Sequence, residues 1–145
     1  ERAGVAIAIA PEEKTAKIVF SQMANVIRAS FSQSPDHGAE IVRLIMSDAE
    51  LRAGWEAELG EMRQRMLRLR QNLAASLRKF SNSNEFDFIA EHRGMFSLLG
   101  LAPEVVEKLR VENAIYLIDD SRANIAGIPE HDTDKLAKAI LAASV

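Results

Sequence analysis

Ser47-Asp-Ala-Glu50, Leu51-Arg-Ala-Gly-Trp-Glu-Ala-Glu-Leu59 and Gly60-Glu-Met-Arg-Gln-Arg-Met-Leu-Arg-Leu-Arg-Gln-Asn-Leu-Ala-Ala-Ser-Leu-Arg-Lys-Phe80 form one continuous stretch whose reading decides the fold. Leu51, Trp55, Leu59, Met62, Met66, Leu69, Leu73, Leu77 and Phe80 recur at a mean step of about 3.6 residues, the α-helical period. Ser47 to Glu50 has the spacing of a capping box, so the stretch reads as one long amphipathic helix starting there. At 1.5 Å per residue such a helix is roughly 50 Å long. A compact chain of 145 residues has a diameter of only about 38 Å. Either the helix breaks at Gly54 or Gly60, each about 1 kcal/mol less favourable than Ala, or it joins two domains of something larger.

The flanking segments carry both helix and strand signals. Upstream, Ala3-Gly-Val-Ala-Ile-Ala-Ile-Ala10 is small and β-branched on both faces, the pattern of a strand buried on both sides. Pro11 then opens a helix, with Glu12 and Glu13 at the positive end of its dipole. Ile18, Val19, Met23, Val26 and Ile27 form its apolar stripe, and it ends near Arg28 before a Ser, Pro, Asp and Gly-rich loop over 30–38. A short helix over 39–46 follows. Downstream of the long helix, 86–89 and 95–98 read as strands of a hairpin through His92-Arg93-Gly94. Pro103 starts another helix, capped by Asn113, and 115–118 and 123–126 read as two short strands. A last helix covers 132–143. The fold class is therefore α+β with α/β character: an N-terminal β–α piece joined by a long helix to a C-terminal α/β unit.

Composition narrows the function classes. The longest nearly unbroken apolar run, residues 3–10, is far too short to span a bilayer, and no basic region precedes it as in a secretion signal. With no cysteine, disulfides, thiolate nucleophiles and Cys-ligated metals are excluded, which fits the cytoplasm. A net charge of −3 gives no general pull toward nucleic acid or anionic lipid. The chain opens Glu1-Arg2, without an initiator Met.

Candidate chemistry is sparse. His37, His92 and His131 lack metal-ligand spacing and read as solvated or capping residues. Asp119 and Asp120, adjacent on a strand or turn, point apart and form no proton-sharing pair. Arg63, Arg65, Arg68 and Arg70 are successively about 200°, 300° and 200° apart on a helix, so they form no single stripe and read as a solvated surface, with Glu61 and Arg65 at i,i+4. Arg122 stands out, set beside the small and β-branched Ala123-Asn124-Ile125-Ala126-Gly127. Its fork suits bidentate capture of a carboxylate, or it pairs with Asp119 or Asp120.

Five segments occur in an order that resembles one family. They are Glu1-Arg2-Ala3-Gly4, Ile27-Arg28-Ala29-Ser30-Phe31-Ser32, Leu51 to Leu59 leading into Met62-Arg63-Gln64-Arg65, Arg93-Gly94-Met95-Phe96-Ser97, and Ser121-Arg122-Ala123-Asn124-Ile125-Ala126-Gly127. Together they resemble the C-terminal part of class I pyridoxal-phosphate-dependent aminotransferases, in the aspartate and aromatic-amino-acid branch. The resemblance implies a fold-type-I chain well over twice this length, acting as a homodimer with its active site between subunits. It implies that Arg2 binds the cofactor phosphate and Arg122 the substrate α-carboxylate. By the same resemblance Arg28 reaches into the neighbouring subunit's site to bind a distal carboxylate, and Ser32 and Phe96 line the pocket. The family's Schiff-base lysine, the aspartate facing the pyridine nitrogen and the ring stacked on the cofactor all correspond to positions upstream of Glu1. The lysines present (Lys14, Lys17, Lys79, Lys108, Lys135 and Lys138) lie on amphipathic helices in charged company.

Two departures leave the substrate open between aspartate and aromatic amino acids. Phe31-Ser32-Gln33-Ser34-Pro35 stands where the family has Tyr, Ser, Asn, Pro, Pro, and Ser121 where a Gly often precedes the carboxylate arginine. The expectation is a C-terminal fragment, about a third of an aminotransferase that exchanges an amino group with 2-oxoglutarate. Residues 1–60 would complete the large pyridoxal-phosphate domain and 61–145 form the small, substrate-closing domain. No metal, nucleic acid or membrane partner is expected, and the fragment alone would be inactive. The competing readings are another fold-type-I enzyme, a lyase or decarboxylase, and a helical adaptor or RNA-binding module using Arg63 to Arg70.

Overall fold

The computed structural model describes residues 4–144, and the chain divides into two compact units, Glu1–Ala57 and Glu58–Val145. In the first unit, helix α1 (Glu13–Ser30) starts two residues after Pro11, with Glu12 as its N-cap. At its end the Phe31 and Ser32 amides both donate to the Ile27 carbonyl at 3.0 Å. Helix α2 (His37–Ser47) follows the expected loop. Neither helix buries a residue. The strand expected over 3–10 is not formed: Ala3 lies outside the described residues, and 4–10 enter no ladder. Val5, Ile7 and Ile9 are 82%, 79% and 97% exposed. A strand apolar on both faces takes its order from sheet neighbours, and the described residues supply none.

Helix α3 (Ala49–Ser81) is the long helix, 33 residues passing without interruption through Gly54 and Gly60. Its cap is one residue later than the box predicted. Asp48 Oδ1 accepts from the Glu50 and Leu51 amides at 2.9 and 3.0 Å, while the Ser47 hydroxyl donates back to the Leu44 carbonyl. A carboxylate facing two free amides at the positive helix end is the stronger acceptor. The apolar stripe is buried only in the second unit, where Leu69, Leu73 and Leu77 are fully enclosed; Leu51, Trp55 and Leu59 stay exposed.

The rest of the second unit folds against that buried half. It comprises α4 (Phe88–Glu91), β1 (Phe96–Leu98), α5 (Pro103–Asn113), β2 (Arg122–Asn124), single 3₁₀ turns at Ile125–Gly127 and Glu130–Asp132, and α6 (Thr133–Ala143). Ile89, Leu109, Ile125 and Ile140 join Leu69, Leu73 and Leu77 in one core. Among the described residues the sheet is a two-stranded antiparallel ribbon, with Phe96 opposite Asn124, Ser97 opposite Ala123 and Leu98 opposite Arg122.

The α+β class stands, but several strand expectations downstream of α3 do not. Residues 86–87 form a turn and 88–89 begin α4, because a four-residue segment is too short for its pattern to separate strand from buried helix. The partner of β1 is therefore β2, not the predicted hairpin neighbour. Residues 115–118 enter no strand, and 125–127 turn into 3₁₀ geometry. At the end of α5 the left-handed residue is Ala114 (φ 53°), one beyond Asn113.

Candidate functional site

The ribbon sorts its side chains by the two-residue strand period. Ser97 and Ala123 face inward and are buried, whereas Phe96, Leu98, Arg122 and Asn124 share the exposed face. Two of the sequence-predicted site residues, Phe96 and Arg122, thus meet there, with the guanidinium carbon 6.0 Å from the ring centroid. That is the outer limit of cation–π attraction, and it leaves the guanidinium edge open for a second partner.

In this structure the partner is internal. Asp120 Oδ1 accepts from the Arg122 amide at 3.0 Å, and its Oδ2 lies 3.3 Å from Arg122 Nη2. Both side chains are about half exposed. The pairing alternative raised by the sequence is therefore realised, in a half-exposed geometry where such a pair is weak. Ser121 is buried at φ 65°, a left-handed conformation that favours glycine. Its hydroxyl accepts from the Gly100 amide at 3.0 Å, its carbonyl accepts from Leu99 N at 3.2 Å, and its own amide donates to Ile118 O at 2.8 Å. The departure from glycine is thus compensated by a hydrogen bond that glycine cannot make.

The other predicted residues lie elsewhere. Arg28 sits in the last turn of α1 and Ser32 four residues on, at φ 68°, both exposed in the first unit. Arg2 lies outside the described residues. His92 Nδ1 is 3.1 Å from Ser97 Oγ, His131 is exposed on a turn, and His37 opens α2.

The arginine cluster on α3 needs the largest correction. Arg63 and Arg68 are exposed as expected, but Arg70 is 1% exposed. Its Nη2 donates to Gly94 O at 2.7 Å and Phe96 O at 3.0 Å. Its Nη1 donates to Ser97 Oγ and reaches Ile89 O at 3.4 Å. Burial, and then the nearby Arg93, push its pKa below the ordinary arginine value. Arg65, instead of simply pairing along the helix, donates to Ala126 O and Ile128 O, both at 3.1 Å. Spacing does not single these two out: Arg63 stands at the same four- and three-residue steps, from Leu59 and Met66, and is exposed.

A family model described as aminotransferase class I and II matches residues 1–140. The chain belongs to this aminotransferase family. It is 45% identical over 145 residues to an aromatic-amino-acid aminotransferase of Paracoccus denitrificans, covering all of this chain and 37% of that protein. It is 41% identical over 142 residues to an aspartate aminotransferase of Escherichia coli, covering 98% and 36%. The solved aromatic-amino-acid aminotransferase of Burkholderia pseudomallei, covalently bound to pyridoxal phosphate, superposes with a TM-score of 0.79 at 38% identity, over 94% of this chain and 34% of that one. The chain thus spans about a third of the length of the relatives it matches.

All six lysines are exposed. Lys17 pairs with Glu13 at 2.6 Å and Lys79 lies 3.4 Å from Asp134. Lys138 stands over the Phe80 ring. An amine that attacks a carbonyl is usually desolvated, whereas these six lie exposed on helix surfaces. Among the described residues the chain presents exposed cations, and each of its lysines is solvated.

Proposed function

We propose that this chain is the C-terminal part of a pyridoxal-phosphate-dependent aminotransferase that moves an amino group between aspartate or an aromatic amino acid and 2-oxoglutarate. The observation that carries the reading is the exposed ribbon face, where Arg122 and Phe96 stand together in a chain that matches the family over residues 1–140. Arg122 holds the substrate α-carboxylate by exchanging Asp120 for it, and Phe96 walls the space beside it. A carboxylate fixed by a bidentate fork fixes the direction of the α C–H bond, which is presented to a base outside this chain. When bound, the cofactor supplies the electron sink that acidifies this bond. Toward that group the chain offers Arg2, as the phosphate's cation.

The same reading gives residues 1–60 to the large cofactor domain and 61–145 to the small domain that closes on substrate. It also makes the enzyme a cytoplasmic homodimer, in which Arg28, with Ser32 beside it, serves the neighbouring subunit's site by binding the distal carboxylate of dicarboxylic substrates. The apolar stripe of α1 supports the first assignment, because Ile18 and Val26 are more than half exposed and await cover. The chain by itself has no transaminase activity.

Amino-group exchange between the amino acid and 2-oxoglutarate tests the reaction class in the complete polypeptide. Appearance of glutamate is the expected result; release of carbon dioxide or ammonia without glutamate would assign a decarboxylase or lyase. In the same assay Arg122→Ala lowers kcat/KM by on the order of a hundredfold or more, through both a raised KM and a lowered turnover.

A further inference from the structure

We propose that Arg65 and Arg70 are positioning residues for the carboxylate site: they fasten the root of the β1–β2 ribbon to helix α3, so that Phe96 and Arg122 keep their places only while both arginines hold. The inference rests on the reading of Arg122 given above.

The antiparallel register puts the start of β1 beside the end of β2, and the Ile125 amide closes that end by donating to Met95 O at 2.8 Å. Both arginines act at this same end. From one side Arg70 takes the carbonyls of Gly94 and Phe96 and the hydroxyl of Ser97. From the other, Arg65 takes the carbonyls of Ala126 and Ile128, just past β2. The opposite end, where Arg122 faces Leu98, is tied through Ser121 to Leu99 and Gly100.

The acceptors of Arg70 named here are neutral, although it is 1% exposed. A buried guanidinium without a carboxylate is costly unless its donors all find acceptors, and these acceptors lie along a single turn and strand. That arrangement holds the segment in one geometry, because moving it would strip a buried cation of its partners. Lysine cannot substitute, since its point charge cannot span carbonyls on both sides of a planar fork. Ser97 extends the chain of contacts to His92. Five residues apart, Arg65 and Arg70 leave α3 about 140° apart, so they bracket the buried stripe and not merely one edge of it.

The test uses the holoenzyme and 3-indolepropionate, a carboxylate without an amino group to transfer. Arg70→Gln should weaken binding of this probe about tenfold and raise KM more than it lowers kcat. Amide exchange at Leu99 and Ile125 should accelerate while exchange within α5 stays unchanged. Arg70→Lys should not restore affinity. Arg65→Gln, at a more exposed position that tolerates polar replacement, should act in the same direction more weakly, and it carries the test if Arg70→Gln does not fold. Arg122→Ala is measured alongside. If it abolishes probe binding while the folded arginine variants bind within twofold of wild type, the clamp is wrong and the carboxylate role stands. If it leaves probe binding unchanged, the carboxylate role fails and the clamp with it.

Discussion

Two neighbouring residues set the surroundings of Arg122, proposed above to bind the substrate carboxylate. Asp120 pairs with it at 3.3 Å in a half-exposed setting, where such pairs contribute about 0–1 kcal/mol. Asp120→Asn removes a competitor without touching the guanidinium, so steady-state KM for either amino acid should fall about two- to fivefold with kcat little changed. A raised KM would mean that Asp120 orients Arg122 instead of competing with substrate. Ser121 sets the backbone from which Arg122 departs. Ser121→Gly loses the bond to Gly100 but relieves a side chain of the left-handed φ, so the two offset and denaturant unfolding should shift by less than about 1 kcal/mol. Ser121→Val, β-branched at φ 65°, should cost about 2 kcal/mol or more. Motif resemblance singled out Arg122 and Phe96, and the ribbon puts the two side chains on one face. Arg70 was hidden because angular spacing alone treats an arginine beside an apolar stripe as solvated; its acceptors, three backbone carbonyls and the Ser97 hydroxyl, lie 19 to 27 residues away, and carbonyls leave no mark in a sequence.

At the level of elements, periodicity identified the long helices because each carries several turns of repeat. The strands expected over 95–98 and 123–126 overlap β1 and β2, but their pairing and the two further strands expected over 86–89 and 115–118 were misread, because strands three residues long take their identity from pairing. Gly54 and Gly60 illustrate the limit. Each weakens helix, yet α3 runs through both, with nothing within 4 Å of where a Cβ would sit. In a peptide spanning 49–81, Gly54→Ala and Gly60→Ala should each favour helix by about 1 kcal/mol, read from far-ultraviolet circular dichroism. A second element-level link joins α3 to α6. Asp134 accepts from Ser76 Oγ at 2.5 Å and lies near Lys79, and the Ser76 bond, ahead of Lys79 and Lys138, holds its carboxyl below the ordinary 3.8. A carboxylate depressed in the folded state stabilises above its unfolded pKa and loses that contribution as pH falls through the folded value. The Tm difference between wild type and Asp134→Asn should therefore be constant at neutral pH and close as pH drops below about 3.8.

For the molecule as a whole, a helix of roughly 50 Å in a chain of 145 residues left open a break at a glycine or a link between two domains, and α3 runs unbroken in a chain of two compact units. The two units behave differently: one encloses Leu69, Leu73, Leu77 and Ile140 completely, the other encloses no side chain in α1 or α2. Apolar surface of that kind is the natural counterpart of a match that covers only about a third of the relatives. The expected strand over 3–10 failed for the same reason, since its pattern encodes neighbours and not itself. The central claim is that Arg122 binds the carboxylate common to all substrates and Arg28 the one peculiar to dicarboxylates. The most direct measurement is kcat/KM of the complete enzyme for aspartate and for phenylalanine, each with Arg122→Ala and with Arg28→Ala. Severe loss for both substrates with Arg122→Ala, and loss confined largely to aspartate with Arg28→Ala, is the predicted result. Near-normal kinetics without Arg122, or equal losses for the two substrates without Arg28, would contradict it.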